Sequence, residues 1–448
     1  MPDRIVSAML AHETHSLLQR SSVSQPFSLH MPMVPAAALD RRALTAIEAH
    51  LAASRRDLED EARRYLAWLH SEAGQAAEAA EAQRRMSRLK LRFHDLLTHF
   101  DLFADALTQR SEHRVGVWLA GLEVAGADML RVPHGLFAVP PLVCYLDRGA
   151  GAAIRRVGSR LPGGGNTPVA VVRIPRGRMI SSGLAGSLAH EVGHQAAAFL
   201  GLVETLRAQT RPRFGEQHRG IDPWPYLDRW SSEILADFWA LGRVGVAHTL
   251  GLIALLTMPA PLVIRGGLHR PHPIPWFRVK VSCAMGQALW DHPQWRRIAD
   301  IWERLYPRAA MPGPRRRLLE ALEAALPDHV ATLMSLRPTS LRGASLGELM
   351  TTPRLHPDAL ADELAARFHR GGPGLAGLRG IPPGRAFAVI GQARADAAIS
   401  PEEESALLAE LLIHWARERS RLIIHRHESM TSNQGTSHER QDHRSIPA

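Results

Sequence analysis

The residues of this chain best spaced for chemistry are His190, Glu191 and His194, in the run Ser187-Leu188-Ala189-His190-Glu191-Val192-Gly193-His194-Gln195. On a helix, imidazoles at i and i+4 leave one face about 6 Å apart at Cβ, so both can reach one Zn²⁺ at about 2.0–2.1 Å. Glu191, between them, is not needed as a ligand and can take a proton from an attacking water. The run needs a helix to hold it. Leu184 to Leu200 reads as one, apolar on both sides of the motif, entered after Ser181-Ser182 as caps and ended at Gly201.

A catalytic zinc takes three protein ligands and keeps a position open. A metzincin-type extension of the motif would place Gly at 197 and His at 200, but the residues are Ala197 and Leu200. A later helix offers a carboxylate in Trp230-Ser231-Ser232-Glu233-Ile234-Leu235-Ala236-Asp237. Glu233 and Asp237 share a face at i, i+4. Glu233 can bind the metal while Asp237 accepts a hydrogen bond from the outer nitrogen of a ligating histidine. Glu204 and Glu216 compete for the ligand role, but neither has an acid four residues on within an apolar helix. Just before the motif helix, Val169 to Ile174 reads as an edge strand. With Val169, Val171 and Arg173 it could pair with an extended peptide and lay it across the metal.

His190-Glu191-Val192-Gly193-His194, followed by Glu233-Ile234-Leu235-Ala236-Asp237, resembles the HEVGH and ExxAD pair of gluzincin metallopeptidases. It is most like the group holding the CAAX-prenyl endopeptidases and the bacterial membrane stress proteases. His272-Pro273-Ile274-Pro275-Trp276-Phe277-Arg278 is similar to that group's HPxxxxR element. The resemblance covers roughly residues 165 to 290. It implies one zinc per chain bound by His190, His194 and Glu233, with Glu191 as general base. It also implies that His272 donates to the oxyanion and that Arg278 helps to hold the site. From the residues alone, His269 is an equal candidate for the role of His272. The family's membrane helices have no clear counterpart here, so membrane substrates and prenylated peptides are not carried over.

The rest of the composition narrows the alternatives. The chain has 448 residues, 45% of them apolar, and a net charge of +10. Of its 54 basic residues only Lys90 and Lys280 are lysine. The arginines are scattered among acids, with Arg315-Arg316-Arg317 on a solvated helix face, so no nucleic-acid surface is expected. Cys144 and Cys283 give neither a disulfide framework nor a CxxC metal site. Met1 to Arg20 is interrupted by Asp3, His12, Glu13 and His15 and is no secretory signal, so a reducing, cytoplasmic setting is expected. Val244 to Ile264 carries no Lys, Arg, Asp or Glu. Pro259 and Pro261 break it, so a buried helix from Ala247 to Met258 is expected rather than a membrane element.

These readings predict an α+β protein, a mainly helical zincin-type core with a small antiparallel sheet, flanked by helical segments. Residues 1–110 form an N-terminal helical region with a hairpin or small bundle over 36–107. Residues 111–340 carry the metallopeptidase domain, with strands at 142–146, 153–157 and 169–174 and a hairpin turn at the glycine triplet Gly163-Gly164-Gly165. Residues 341–424 form a C-terminal helical region opened in part by the capping box Ser400-Pro401-Glu402-Glu403, and 425–448 a disordered tail. The function expected is zinc-dependent endopeptidase action on a peptide or protein substrate. A catalytically inactive zincin scaffold that binds a protein partner is the alternative, and a basic nucleic-acid-associated protein a more distant one.

Overall fold

The computed structural model describes residues 4–22, 26–149, 151–181, 183–368 and 375–438. Ala150, Ser182 and the last ten residues, on which parts of the sequence reading fall, lie outside them. The fold is mainly helical α+β, as expected.

The N-terminal region is built from α1 (Arg4–Ser21), α2 (Arg41–His70) and α3 (Ala79–Thr108). Helix α2 starts where Asp40 accepts a hydrogen bond from the Arg42 N–H at 2.8 Å, which satisfies one of the open amides of the first turn. The apolar positions of α2 and α3 recur at three- and four-residue steps. They meet as one cluster of Ile47, Leu58, Tyr65, Phe93, Leu96 and Phe103.

Next comes α4 (His113–Leu130), a helix in a stretch to which the sequence reading assigns no element. It is apolar nearly all round and has no clean stripe to betray a period of 3.6, because most of its apolar positions are buried or, like Val115, Val117, Trp118 and Val124, half-buried. Strands β1 (Leu142–Asp147), β2 (Ala153–Arg155) and β3 (Ala170–Pro175) follow. They form a sheet of order β1-β3-β2, with β1 parallel and β2 antiparallel to β3. The sheet is therefore mixed, not the antiparallel one expected. Its antiparallel half comes from the glycine-triplet turn, closed by the Gly164 N–H on Leu161 O at 3.1 Å and by a bridge between Arg160 and Asn166. Alternation splits the sheet between two cores. Val143, Val169 and Val171 face the N-terminal helices, and Cys144, Val172 and Ile174 face the rest of the protein.

The second core gathers α5 (Gly183–Phe199), α6 (Leu202–Thr210), α7 (Trp224–Val244), α8 (Val246–Leu256), α9 (Pro275–Leu289), α10 (Gln294–Leu305) and α11 (Gly313–Ser335). Gly201, at φ +61°, ends α5 as its sequence suggests. The sequence predicts two helices here, Arg315 to Leu326 and Asp328 to Leu336, divided at Pro327, but helix α11 runs through the proline. Leu322, Leu326, Val330 and Leu333 stay buried on both sides of the proline, which offsets the one missing backbone bond. Helix α8 is the buried helix expected within 244–264, and no helix among the described residues is long and apolar enough to cross a membrane.

The C-terminal helices α12 (Pro357–Phe368), α13 (Pro383–Ala395) and α14 (Pro401–His438) pack into the same second core through Leu360, Phe387, Leu408 and Leu412. Glu123 of α4 ties them in. Its carboxylate accepts from Cys144 N at 3.1 Å, from Arg419 of α14 at 3.0 Å, and from the buried Arg110. The expected capping box opens α14, with the Ser400 N–H on Glu403 Oε2 at 2.7 Å and the Glu403 N–H on Ser400 Oγ at 3.2 Å. The sequence predicts this helix over Pro401 to Arg417, but it runs on to His438, into the segment assigned to the tail.

Candidate metal centre

Helices α5 and α7 build the site, and their close approach starts with a glycine. A Cβ on Gly193 would stand 3.0 Å from Ala236 O and from the Trp239 Cβ across the interface. Without it, α7 comes near enough for Glu233 to reach the histidine pair. Glycine is a poor helix former, so this closeness costs some local stability.

Both imidazoles turn Nε2 toward Glu233. His190 Nε2 lies 3.4 Å from Glu233 Oε2, and His194 Nε2 lies 3.5 Å from Glu233 Oε1. The three residues form the group that could hold a metal ion among the described residues. Two donors about 2.1 Å from a tetrahedral ion are about 3.4 Å apart, so the spacing fits. A second observation points the same way: Glu233 Oε2 is buried and has no hydrogen-bond partner. Its cationic neighbours, His190 at 3.4 Å and Arg278 at 3.7 Å, stand beyond good hydrogen-bond geometry, and a buried carboxylate oxygen without a hydrogen bond is costly, a cost that a bound metal ion would offset. Glu204 and Glu216 are elsewhere, the latter paired with Arg213 at 2.8 Å.

Outer partners fix the rings. Asp237, fully buried, accepts from His190 Nδ1 at 2.7 Å, as its i+4 spacing from Glu233 suggests. Arg278 of α9 grips Asp237 with two hydrogen bonds, Nε on Oδ2 and Nη2 on Oδ1, each 2.7 Å. Its Nη2 also lies 3.3 Å from His190 Nδ1 and 3.7 Å from Glu233 Oε2. Two contributors escaped the sequence reading. Ser232 Oγ stands 3.3 Å from His194 Nδ1, and His248 of α8 brings Nε2 to 3.4 Å from Asp237 Oδ1. Ser232 had one clue, its place beside Glu233. His248 had only its position as a lone imidazole in a chargeless apolar helix.

The electrostatics follow from burial and these partners. Burial alone would lower the His190 pKa, but the Asp237 carboxylate on its Nδ1 outweighs it and lifts the value to about 9. Burial and the neighbouring His190 push His194 down to about 4. Burial opposes ionisation of Glu233, yet the adjacent His190, Arg278 and His194 hold it at about 2. The Asp237 carboxyl, despite burial, is held well below its ordinary value by Arg278 and His190. Glu191 shifts the other way: burial raises it, and the Glu233 charge adds to that.

One side of the group opens into a cavity of about 580 Å³. His190, Glu191, His248, His272 and Arg278 line its polar part, and Leu252, Leu255 and Met258 its apolar part. His272 sits at the rim, its side chain 62% exposed and its Nε2 3.5 Å from Glu233 Oε2. His269, chemically equal in the sequence, is not among the residues lining the cavity.

The edge strand needs correction. Strand β3 is central, paired on both sides, and Val169 and Val171 are buried against the N-terminal helices. It therefore has no edge to offer. A near-continuous apolar run is what a strand covered on both faces requires, and Val169 to Ile174 is one. The outer strand beside the motif helix is β2. Gly151 and Ala152, which lead into it, line the cavity with His190 and Glu191, and Gln195 of α5 accepts from Val157 N at 2.8 Å just beyond it.

No protein-family model matches the chain, and neither a curated protein nor a solved structure matches it. Fold and site together define a mainly helical α+β protein with a buried His-His-Glu group able to hold a metal ion.

Proposed function

We propose that the chain is a zinc-dependent endopeptidase with His190, His194 and Glu233 as metal ligands. The observation that carries this reading is the convergence of two imidazole nitrogens and the Glu233 carboxylate, one oxygen of which is buried without a hydrogen bond, at one point beside an open cavity. Two histidines and a glutamate are a donor set of catalytic zinc, and the likeness to gluzincin motifs runs in the same direction. When bound, zinc would supply a Lewis acid that polarises a carbonyl and acidifies water.

The chain's own residues supply the rest. Glu191 lines the cavity, and its raised carboxyl suits a group that accepts a proton from the attacking water and returns it to the leaving amine. Asp237 and Arg278 hold His190 in one orientation, with Nδ1 on the Asp237 carboxylate and Nε2 turned toward Glu233. His272, at the rim, donates to the oxyanion that develops during attack. The outer edge of β2, which pairs with no strand among the described residues, holds an extended peptide by backbone hydrogen bonds.

The test is metal removal and return on an unfolded protein substrate, with products read by mass spectrometry. Chelation is expected to abolish internal cleavage, and one equivalent of zinc to restore it. Cleavage indifferent to both treatments would overturn the proposal.

A further inference from the structure

The edge of β2 leads from the metal cavity into a second one. Gly151 and Ala152 line the first, while Ala153, Ile154 and Arg155 line a neighbouring cavity of about 480 Å³. Four arginines surround the second: Arg155, Arg156, Arg160 and Arg173. Register explains why two of them meet. Arg155 pairs with Val171 and Ala153 with Arg173, so Arg155 and Arg173 project from the same face of the sheet.

Among the described residues, little neutralises this group. The Arg155 Nη1 donates to Arg160 O at 3.3 Å and the Arg173 Nη2 to Gly151 O at 3.4 Å, both backbone carbonyls. Asp147 is the acid in contact, 3.5 Å from Arg173 Nη1, and both side chains are part exposed. The Arg173 Nε is buried with no hydrogen bond. Guanidinium donors in such a place match a carboxylate, which takes two N–H bonds from one fork.

We infer that the chain selects peptides carrying an acidic side chain a few residues from the cleaved bond, held by Arg155, Arg156, Arg160 and Arg173. The inference rests on the endopeptidase reading. An extended peptide along β2 advances about 3.3 Å per residue, so Arg155, three residues past Ala152, meets a side chain about two to four residues from the bond at the metal. Alternate side chains of that peptide face the arginines, which makes the preference periodic along the substrate.

The test uses peptide pairs that differ only by Glu or Gln at positions two, three and four from the cleavage point. Binding is read by fluorescence anisotropy on the zinc-loaded Glu191→Gln chain, and cleavage on the wild type. At one of these positions the Glu peptide is expected to bind about three- to tenfold more tightly, less so at high salt. Arg155→Gln is expected to remove this discrimination. Arg160→Gln, at an exposed position where folding is not at risk, is expected to weaken it. A wild-type chain that cleaves both members of every pair equally, with equal binding, overturns the arginine assignment and leaves the peptidase reading standing. A chain that cleaves no peptide sinks both.

Discussion

Replacing Glu191 by Gln is expected to lower the rate of peptide hydrolysis by about 10²- to 10⁴-fold while zinc stays bound. Gln keeps the shape of the side chain and loses the base. Glu191 is 6% exposed and lines the cavity from the same helix as the two histidines, but it is no part of the ligand group, so the loss falls on turnover and not on the metal. Steady-state cleavage and metal content measured on one preparation check both halves. A variant that kept its zinc and cleaved as fast as wild type would remove Glu191 from the mechanism.

The second large effect is expected at Asp237. This carboxylate and Arg278 are both buried and joined by two 2.7 Å hydrogen bonds. Asp237→Asn leaves the guanidinium buried without its counter-charge, and breaking such a pair costs about 3–5 kcal/mol. His190 loses its anchor as well, which is expected to weaken metal binding by about 10- to 100-fold. A pH signature accompanies the change. The His190 pKa is about 9 in the folded, metal-free protein, above its ordinary 6.5. Its stabilising contribution is therefore complete below pH 6.5 and is lost as pH rises through 9, at a slope of at most about 1.4 kcal/mol per pH unit. Denaturant unfolding of the metal-free wild type is expected to show this decline between pH 6.5 and 9, and Asp237→Asn to lack it. A variant as stable as wild type with the same slope would contradict the linkage between Asp237 and His190.

How much of this was readable in the sequence depended on whether local spacing carried the information. His190, Glu191 and His194 were legible because one helix fixes their geometry. Glu233 and Asp237 were legible because a second i, i+4 pair lay among apolar residues, and Arg278 because of a resembling motif. The three strands and the long helices of 41–108 followed from period and punctuation. What stayed hidden was set by tertiary neighbours. Helix α4 shows no clean stripe because neighbours bury or half-bury nearly all of its apolar positions. Strand β3 reads as an edge from its sequence, because a run of valines does not say which faces or edges are covered, and the sheet order makes it central. Ser232 and His248 gain their roles only where α7 and α8 pack against α5 and Asp237, and no spacing rule links those positions. The arginines beside β2 lie on two strands and the turn between them, and only the sheet register brings them together.

The most direct measurement is the metal content of the purified wild-type chain beside Glu233→Ala, each shown to be folded by circular dichroism. The account predicts one zinc per chain in the wild type and less than about a tenth of that in the variant, because Glu233 supplies one of three ligands. Equal zinc in both proteins, or none in the wild type after growth with zinc, would contradict it.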